Sequence, residues 1–524
     1  MTASAPQMLG MLVACGSAAV SVLARDPRMR YGAAAVALIA APLLVAGDVW
    51  DSTRLVELRH HPAKLAAIIA LAALAVAVAA GVFRRWEWAF PVGVFAALPL
   101  RVPVHLGGET SHLLVPLYLV IAGGLLCLAL EARAQARASG TQGPELGAQA
   151  PGLRDWPAAI WLYRALAATL VLYAIQTAYS EDVSNAIENA SFFLVPFAVM
   201  LMLLTEVRWT RRILGWVLVA VSGMALIFAG VAFAEYALRD LVLSRGNLLE
   251  SNQLHLYFRV NSLFYDPNIF GRDLALVLVA LGAYLAWSRG GRLAITAAVV
   301  SGVLLVALAF SYSITSFVAL FAGLLVVAAL RWSVRWAAAG GALALVCGAV
   351  VLVVIGTAHS DTRVTESGSE AARGQVDLVK GGVRLAKRRP VWGWGSGSFG
   401  AAFSTHIERA KTTVSHTEPV TVAAEQGAIG LIVYVALVVL ALIVVFTGAS
   451  ATAATAATAA GFVAMVVHSL GYAAFTIDPA TWALLGLGVA LRGAGPAVSD
   501  AAVDDRGGPG IVRPTHEPRP ATVE

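Results

Sequence analysis

Charge is what this sequence has least of: Lys, Arg, Asp and Glu make up 13% of its 524 residues, whereas 59% are hydrophobic. Soluble domains carry about 25% charged residues, so a water-exposed fold is excluded and lipid is the solvent for most of the chain. Cysteine is nearly absent as well. Cys15, Cys127 and Cys347 each lie inside an apolar run, which excludes a disulfide framework or a metal knuckle and leaves them as small packing residues. No basic region precedes the first apolar run in Met1–Gln7, and no convincing cleavage site follows it, so the first span is expected to stay in place. Two motifs are also missing: the Lys-Ser/Thr ending of a nucleotide P-loop, and an Asp-x-Asp-like metal signature. No internal repeat is evident.

Long continuous apolar runs are what remains, and they do not alternate with polar residues as strands lining a barrel would. The expected fold is all-α: a polytopic integral membrane protein with about 12–15 transmembrane helices, since roughly 20 apolar residues cross the bilayer. Candidate spans are 8–24, 31–47, 64–83, 88–103, 112–131, 157–178, 187–206, 212–236, 272–287, 292–311, 314–330, 337–358, 420–446, 454–475 and 478–492, some short enough to be re-entrant. They divide the chain into N-terminal helices (1–131), a cytoplasmic linker (132–156), central helices (157–358) with an outer loop at 237–271, a large loop (359–419), C-terminal helices (420–492) and a disordered cytoplasmic tail (493–524).

Short basic connections set the orientation. Arg25–Arg30, Arg84–Trp88, Glu131–Asp155, Glu206–Arg212, Arg289–Arg292 and Arg331–Arg335 belong on the cytoplasmic side by the positive-inside rule. The net charge of +6 needs no other explanation, and nucleic acid is not indicated as a partner. Threading the spans between these connections puts 48–63, 104–111, 179–186, 237–271, 312–313, 359–419 and 476–477 outside, with the C-terminus inside. The spans themselves are nearly free of Asp, Glu and Lys, the clearest exceptions to their apolar character being His468 and Arg164. That scarcity weighs against transport.

The loop 359–418 is basic on the outer side, with nine Lys or Arg against six carboxylates. Within it, Asp377–Arg388 has helical spacing: Leu378, Val379, Val383 and Leu385 turn towards lipid or protein, and Lys380, Arg384 and Lys387 form a stripe suited to phosphates. As a solvated face the stripe needs no ligand. After Pro390, Gly393, Gly395 and Gly397 permit a tight path between Trp392, Trp394 and Phe399. His416 precedes an apolar span, where a neutral imidazole is able to take a proton from a hydroxyl; a lone histidine at a helix start is more often structural. In the other outer loop Arg259 precedes the turn-forming Asp266-Pro267-Asn268, and by physics alone it is a membrane-edge anchor.

Taken in order, Arg259 and the Asp266-Pro267-Asn268 turn, the basic segment ending in PVWGWGSGSF, and SHTEPVTVAAEQGAIGL resemble the O-antigen ligase and O-antigen polymerase family of bacterial membrane proteins. The resemblance runs from about Tyr179 to Gly486. It includes ASFFLVPFAVML and HSLGYAAFTIDPATWALLG. A GT-C-like helical body under a large extracytoplasmic loop, in the inner or plasma membrane, is what it implies. The implied activity is metal-independent, inverting transfer of a glycan from an undecaprenyl-diphosphate-linked donor to a hydroxyl of a glycan, lipid or protein acceptor, with membrane lipids as the other partners and no cofactor. Carried over, His416 is the catalytic base, Arg259 contacts the diphosphate, and the loop arginine is Arg373 or Arg384, with Arg373 favoured. Asp266, Asn268, Gly395, Gly397 and Glu425 are expected to support them. The chain departs from the family where Thr417 follows the histidine in place of Asn, and where Ser313–Ser316 reads SITS in place of Ser-Arg-Gly. The competing readings are a transporter or flippase of an anionic lipid-linked glycan and a non-catalytic assembly protein.

Overall fold

The computed structural model describes residues 3–106, 109–138, 156–243, 252, 258–342, 376–408 and 414–493. Arg373, Cys347, most of the linker 132–156, the first part of the large loop and the tail 494–524 lie outside the described residues.

The described chain is helical, with 11 helices long and apolar enough to cross a membrane. The first six helices are α1 (Ala5–Leu23), α2 (Pro27–Asp48), α3 (Thr53–His60), α4 (Pro62–Arg85), α5 (Ala89–Ala97) and α6 (Val115–Ala138). Next come α7 (Pro157–Gln176), α8 (Val183–Asn189), a π turn (Ala190–Leu194), α9 (Val195–Glu206) and α10 (Arg211–Leu238). The last nine are α11 (Pro267–Trp287), α12 (Arg292–Ser311), α13 (Ile314–Arg331), α14 (334–342), α15 (376–388), α16 (Phe399–His406), α17 (Glu418–Phe446), α18 (Ala453–Ser469) and α19 (Pro479–Gly493). Local chemistry marks many starts. Ser4 and Thr452 form capping boxes with Gln7 and Thr455, and proline stands in the first turn of α1, α2, α4, α7, α9, α11 and α17, where its missing N–H has no helical partner to lose.

One expected span fails. Residues 88–103 form only the nine-residue α5, after which Val102–Leu106 pairs antiparallel with Glu109–Leu113. Composition in a short apolar run does not separate helix from strand, and this hairpin is the one departure from an all-helical architecture among the described residues. The helix expected at Asp377–Arg388 forms as α15, where Leu385 is buried, Leu378 packs beside it, and Lys380, Arg384 and Lys387 are exposed.

Two apolar cores hold the body together. The first joins α1, α2, α5, α6, α7, α9, α17 and α19; the second joins α10, α11, α12 and α13, with Ala460 of α18. Outward-facing positions stay apolar too: Leu71 on α4 is 68% exposed and Ile432 on α17 equally so, as lipid-facing positions are. A small third cluster roofs one end, with Leu385, Trp394, Phe399 and Phe403 packed on Ala424.

The expectation of spans almost free of ionisable groups is corrected. Glu235, Arg272 and Asp478 are buried, and Arg272 and Asp478 form an ion pair inside the protein. Of the two exceptions expected, His468 is buried, whereas Arg164 is exposed with its guanidinium over the Trp161 ring. Cys15 and Cys127 are buried thiols, in keeping with packing roles.

Candidate active site

Several of the segments threaded to the outside meet: Asn268 joins Ser313, Ser180 joins Ser396, and Glu418 joins Thr476. At the start of α11, Asp266 is the N-cap and its Oδ1 accepts from the Asn268 N–H at 2.7 Å. Asp is a strong cap because its carboxylate satisfies a backbone donor that the first turn leaves open. The other oxygen, Oδ2, accepts from the Tyr472 hydroxyl at 3.1 Å. The side chain of Asn268 is tied to the next helix pair: its Oδ1 accepts from Ser313 Oγ at 2.8 Å, and its backbone carbonyl accepts from Ser316 Oγ at 3.3 Å. Ser313 in turn caps α13, and Thr315 and Ser316 reach the buried His468 ring. The SITS segment is therefore a polar knot binding α11, α13 and α18. Gly271 lets it close, since a Cβ there would stand 2.7 Å from Ser316 Oγ.

Arg259 is held on both its backbone and its side chain. Asn252 brackets it, with Oδ1 accepting from the Arg259 N–H and Nδ2 donating to its carbonyl, both at 3.0 Å. The guanidinium Nε donates to the Ser311 carbonyl at the end of α12, at 3.1 Å. Beneath this loop sits Glu235 of α10. Its carboxylate accepts from the backbone N–H groups of Val242, Asn261 and Ser262 at 3.0, 3.1 and 2.7 Å. A carboxylate taking three backbone donors fixes the returning chain two residues from Arg259.

The glycine turn packs into a break in α17. Gly427 has φ 66° and ψ −163° inside that helix, and Gly395 has φ 100°. Neither position admits a side chain: a Cβ on Gly427 would stand 2.2 Å from the Val391 carbonyl oxygen, and one on Gly395 would stand 2.3 Å from Ser180 Cα. Backbone groups released by the break are taken up locally. Gly395 N–H donates to the Glu425 carbonyl at 2.8 Å, Trp394 N–H to that of Ala424 at 3.1 Å, and Gln176 Nε2 to that of Gln426 at 3.1 Å. The Glu425 side chain closes the turn by accepting from Gly397 N–H and Phe399 N–H, both at 3.0 Å. Above it, Arg389 lies over the Trp394 ring, which stacks on His406, and His406 Nε2 meets the Glu181 carboxylate at 3.0 Å.

His416 stands in the left-handed region at φ 65°, a strained conformation for a residue with a Cβ. Ser415 pins it there: its hydroxyl donates to the Thr417 carbonyl at 2.8 Å and pairs with Thr421 Oγ1 at 2.9 Å. The imidazole is half-buried. Burial lowers its pKa below the ordinary 6.5, and the facing Asp266 carboxylate pushes weakly the other way. Two residues on, Glu418 is buried and grips the loop that follows Tyr472, accepting from Phe475 N–H, Thr476 N–H and Thr476 Oγ1 at 3.2, 3.2 and 2.7 Å.

Of the residues singled out in the sequence, Asp266 and Asn268 form the α11 start, Arg259 joins them through Ser311 and Ser313, and His416 lies within electrostatic reach of Asp266. Gly395, Gly397 and Glu425 form a separate support beneath the roof. Arg384 is exposed on α15 among Lys380, Lys387 and Arg388. Sequence reasoning passed over Tyr472, Glu235 and Glu418. Tyr472 and Glu418 lie in segments that carry the family resemblance, but the hold of either glutamate has no local signature, because it depends on which other loop folds onto it.

No curated protein matches the chain. Residues 299–435 match the family model described as O-antigen ligase, a segment that includes the SITS knot, the basic helix, the glycine turn, His416 and Glu425 and begins after Arg259 and the α11 cap. The match covers about a quarter of the chain and supports its likeness to the O-antigen ligase and polymerase family.

Proposed function

We propose that the protein transfers a glycan from an undecaprenyl-diphosphate-linked donor onto a hydroxyl acceptor, without a metal ion and with inversion at the anomeric carbon. The observation that carries this reading is the half-buried His416, held in a left-handed turn opposite Asp266. Its lowered pKa keeps the imidazole neutral near pH 7, the form able to accept a proton. In the proposed step the acceptor oxygen attacks the anomeric carbon and its proton passes to His416. The bond from that carbon to the diphosphate oxygen breaks, and its electron pair leaves with undecaprenyl diphosphate. Arg259, with Arg373 or Arg384 from the large loop, stabilises the charge growing on the departing diphosphate. The large loop and the α11 start face the extracytoplasmic side of the cell membrane in this reading, because the basic connections gather at the opposite end. Glycan, lipid or protein serves as acceptor.

A second reading, movement of an anionic lipid-linked glycan across the bilayer, draws on the break at Gly427 and the buried Arg272–Asp478 pair. Against it, the break is filled by the glycine turn and Gln176. Purified protein in detergent, given lipid-linked oligosaccharide and acceptor, separates the two. A transferase forms a new glycosidic bond there, with inverted configuration by NMR. A transporter forms no product, and absence of product with active donor and acceptor would overturn the proposal.

A further inference from the structure

Away from this site a cavity of about 670 Å³ lies between α5, α10, α11, α18 and α19. Its walls are almost wholly aliphatic and aromatic, and they follow two antiparallel helices for most of their length, from Arg211 to Phe228 along α10 and from Asp273 to Arg289 beside α11. Sixteen residues of helix span about 24 Å. One leaflet of a bilayer with an apolar core of about 30 Å is roughly 15 Å deep, so the cavity is long enough for an extended hydrocarbon chain.

The cationic side chains that line it stand at one end only. Arg211 and Arg289, both exposed, stand at the basic end with Ser288 and Thr452, and Asp273 stands at the other. An acidic side chain at the end nearer the α11 start is a poor neighbour for a phosphate, whereas two guanidinium groups at the opposite end suit one. The cavity's polarity therefore orients an occupant with its anionic head at the basic end and its tail towards Asp273. A glycan donor whose diphosphate sits by Arg259 has its head at the other end of the helices.

We infer that this cavity is a binding site for an anionic glycerophospholipid from the leaflet at the basic end, its phosphate on Arg211 and Arg289 and an acyl chain along α10 and α11. The site does not depend on the glycan-transfer reading.

Native mass spectrometry of the full chain in detergent, titrated with phosphatidylglycerol, phosphatidylcholine of the same chains, or inorganic phosphate, tests it. One phosphatidylglycerol is expected to be retained in preference to phosphatidylcholine, and inorganic phosphate should not displace it. The double variant R211Q/R289Q should bind about 25-fold more weakly, two contacts each worth roughly fivefold. Ala457→Phe, which fills the cavity without touching charge, should also lose the lipid, while Arg84→Gln, an exposed arginine of α4 outside the cavity, should keep it. Equal retention of both lipids, equal weakening by Arg84→Gln, or a polyprenyl phosphate displacing phosphatidylglycerol as well from R211Q/R289Q as from wild type would overturn the assignment.

Discussion

Tyr472 donates to Asp266 Oδ2 at 3.1 Å, while Oδ1 of the same carboxylate caps α11. One side chain thus fixes a helix start, anchors the loop between α18 and α19, and supplies the negative charge facing His416. Burial, with the Asp266 carboxylate beside it, keeps the Tyr472 hydroxyl protonated far above neutral pH, so it remains a donor.

Replacing Asp266 with Asn keeps a good cap but removes the charge. The carboxylate raises the pKa of His416 against the larger effect of burial, so its loss lowers that pKa further. The acid limb of the kcat/KM profile, where His416 must be neutral, should move to lower pH, and an unmoved limb would separate Asp266 from His416. The sign carries into stability. A histidine whose folded pKa lies below its unfolded value contributes in full above about pH 6.5 and loses that contribution as pH falls through the folded value.

Glu235→Ala leaves the N–H groups of Val242, Asn261 and Ser262 without their acceptor. Each buried donor left unmade costs about 1–3 kcal/mol, and the loop carrying Arg259 loosens. Unfolding in detergent should show the loss, and KM for the lipid-linked donor should rise. Glu235→Gln, which keeps an acceptor oxygen, should recover part of both.

Gly427→Ala and Gly302→Ala test the same change in two settings. At Gly427 the positive φ costs about 1–3 kcal/mol and the clash with Val391 adds a similar amount. Gly302 lies inside α12 with nothing within 4 Å of an added Cβ, so alanine there should stabilise by up to about 1 kcal/mol. Opposite signs in denaturant titrations are the expected outcome.

Arg272→Met strands Asp478 in the interior and should cost about 3–5 kcal/mol, whereas the double variant R272M/D478L should recover much of the loss. Recovery will be incomplete because Asp478 Oδ1 also accepts from Ala480 N–H at the start of α19. If the double variant is no better than the single one, the pair is not the reason for the loss.

How much of this was legible depends on the range of the interaction. The span at 292–311 coincides with α12, and that at 314–330 falls one residue short of α13, because each is an apolar run closed by polar or basic residues. At 88–103 hydropathy carries no information on where the chain turns back into a hairpin. Around the candidate site, the Asp266-Pro267-Asn268 cap and the glycine turn are local signals. The Glu235 cage, the grip of Glu418 on Thr476 and the Tyr472–Asp266 bond join residues far apart in sequence. Nothing in a single chain's pattern announces such pairs. Arg384 shows the converse, since helical spacing places it on a basic stripe but does not say what that stripe faces.

The account rests on His416 as the base, and glycan transfer from purified lipid-linked oligosaccharide in nanodiscs tests it most directly. His416→Ala should slow the transfer step by about 10²–10⁴-fold, the usual contribution of a positioned general base, while the protein keeps its fold and its affinity for the donor. Transfer at the wild-type rate by His416→Ala would contradict it.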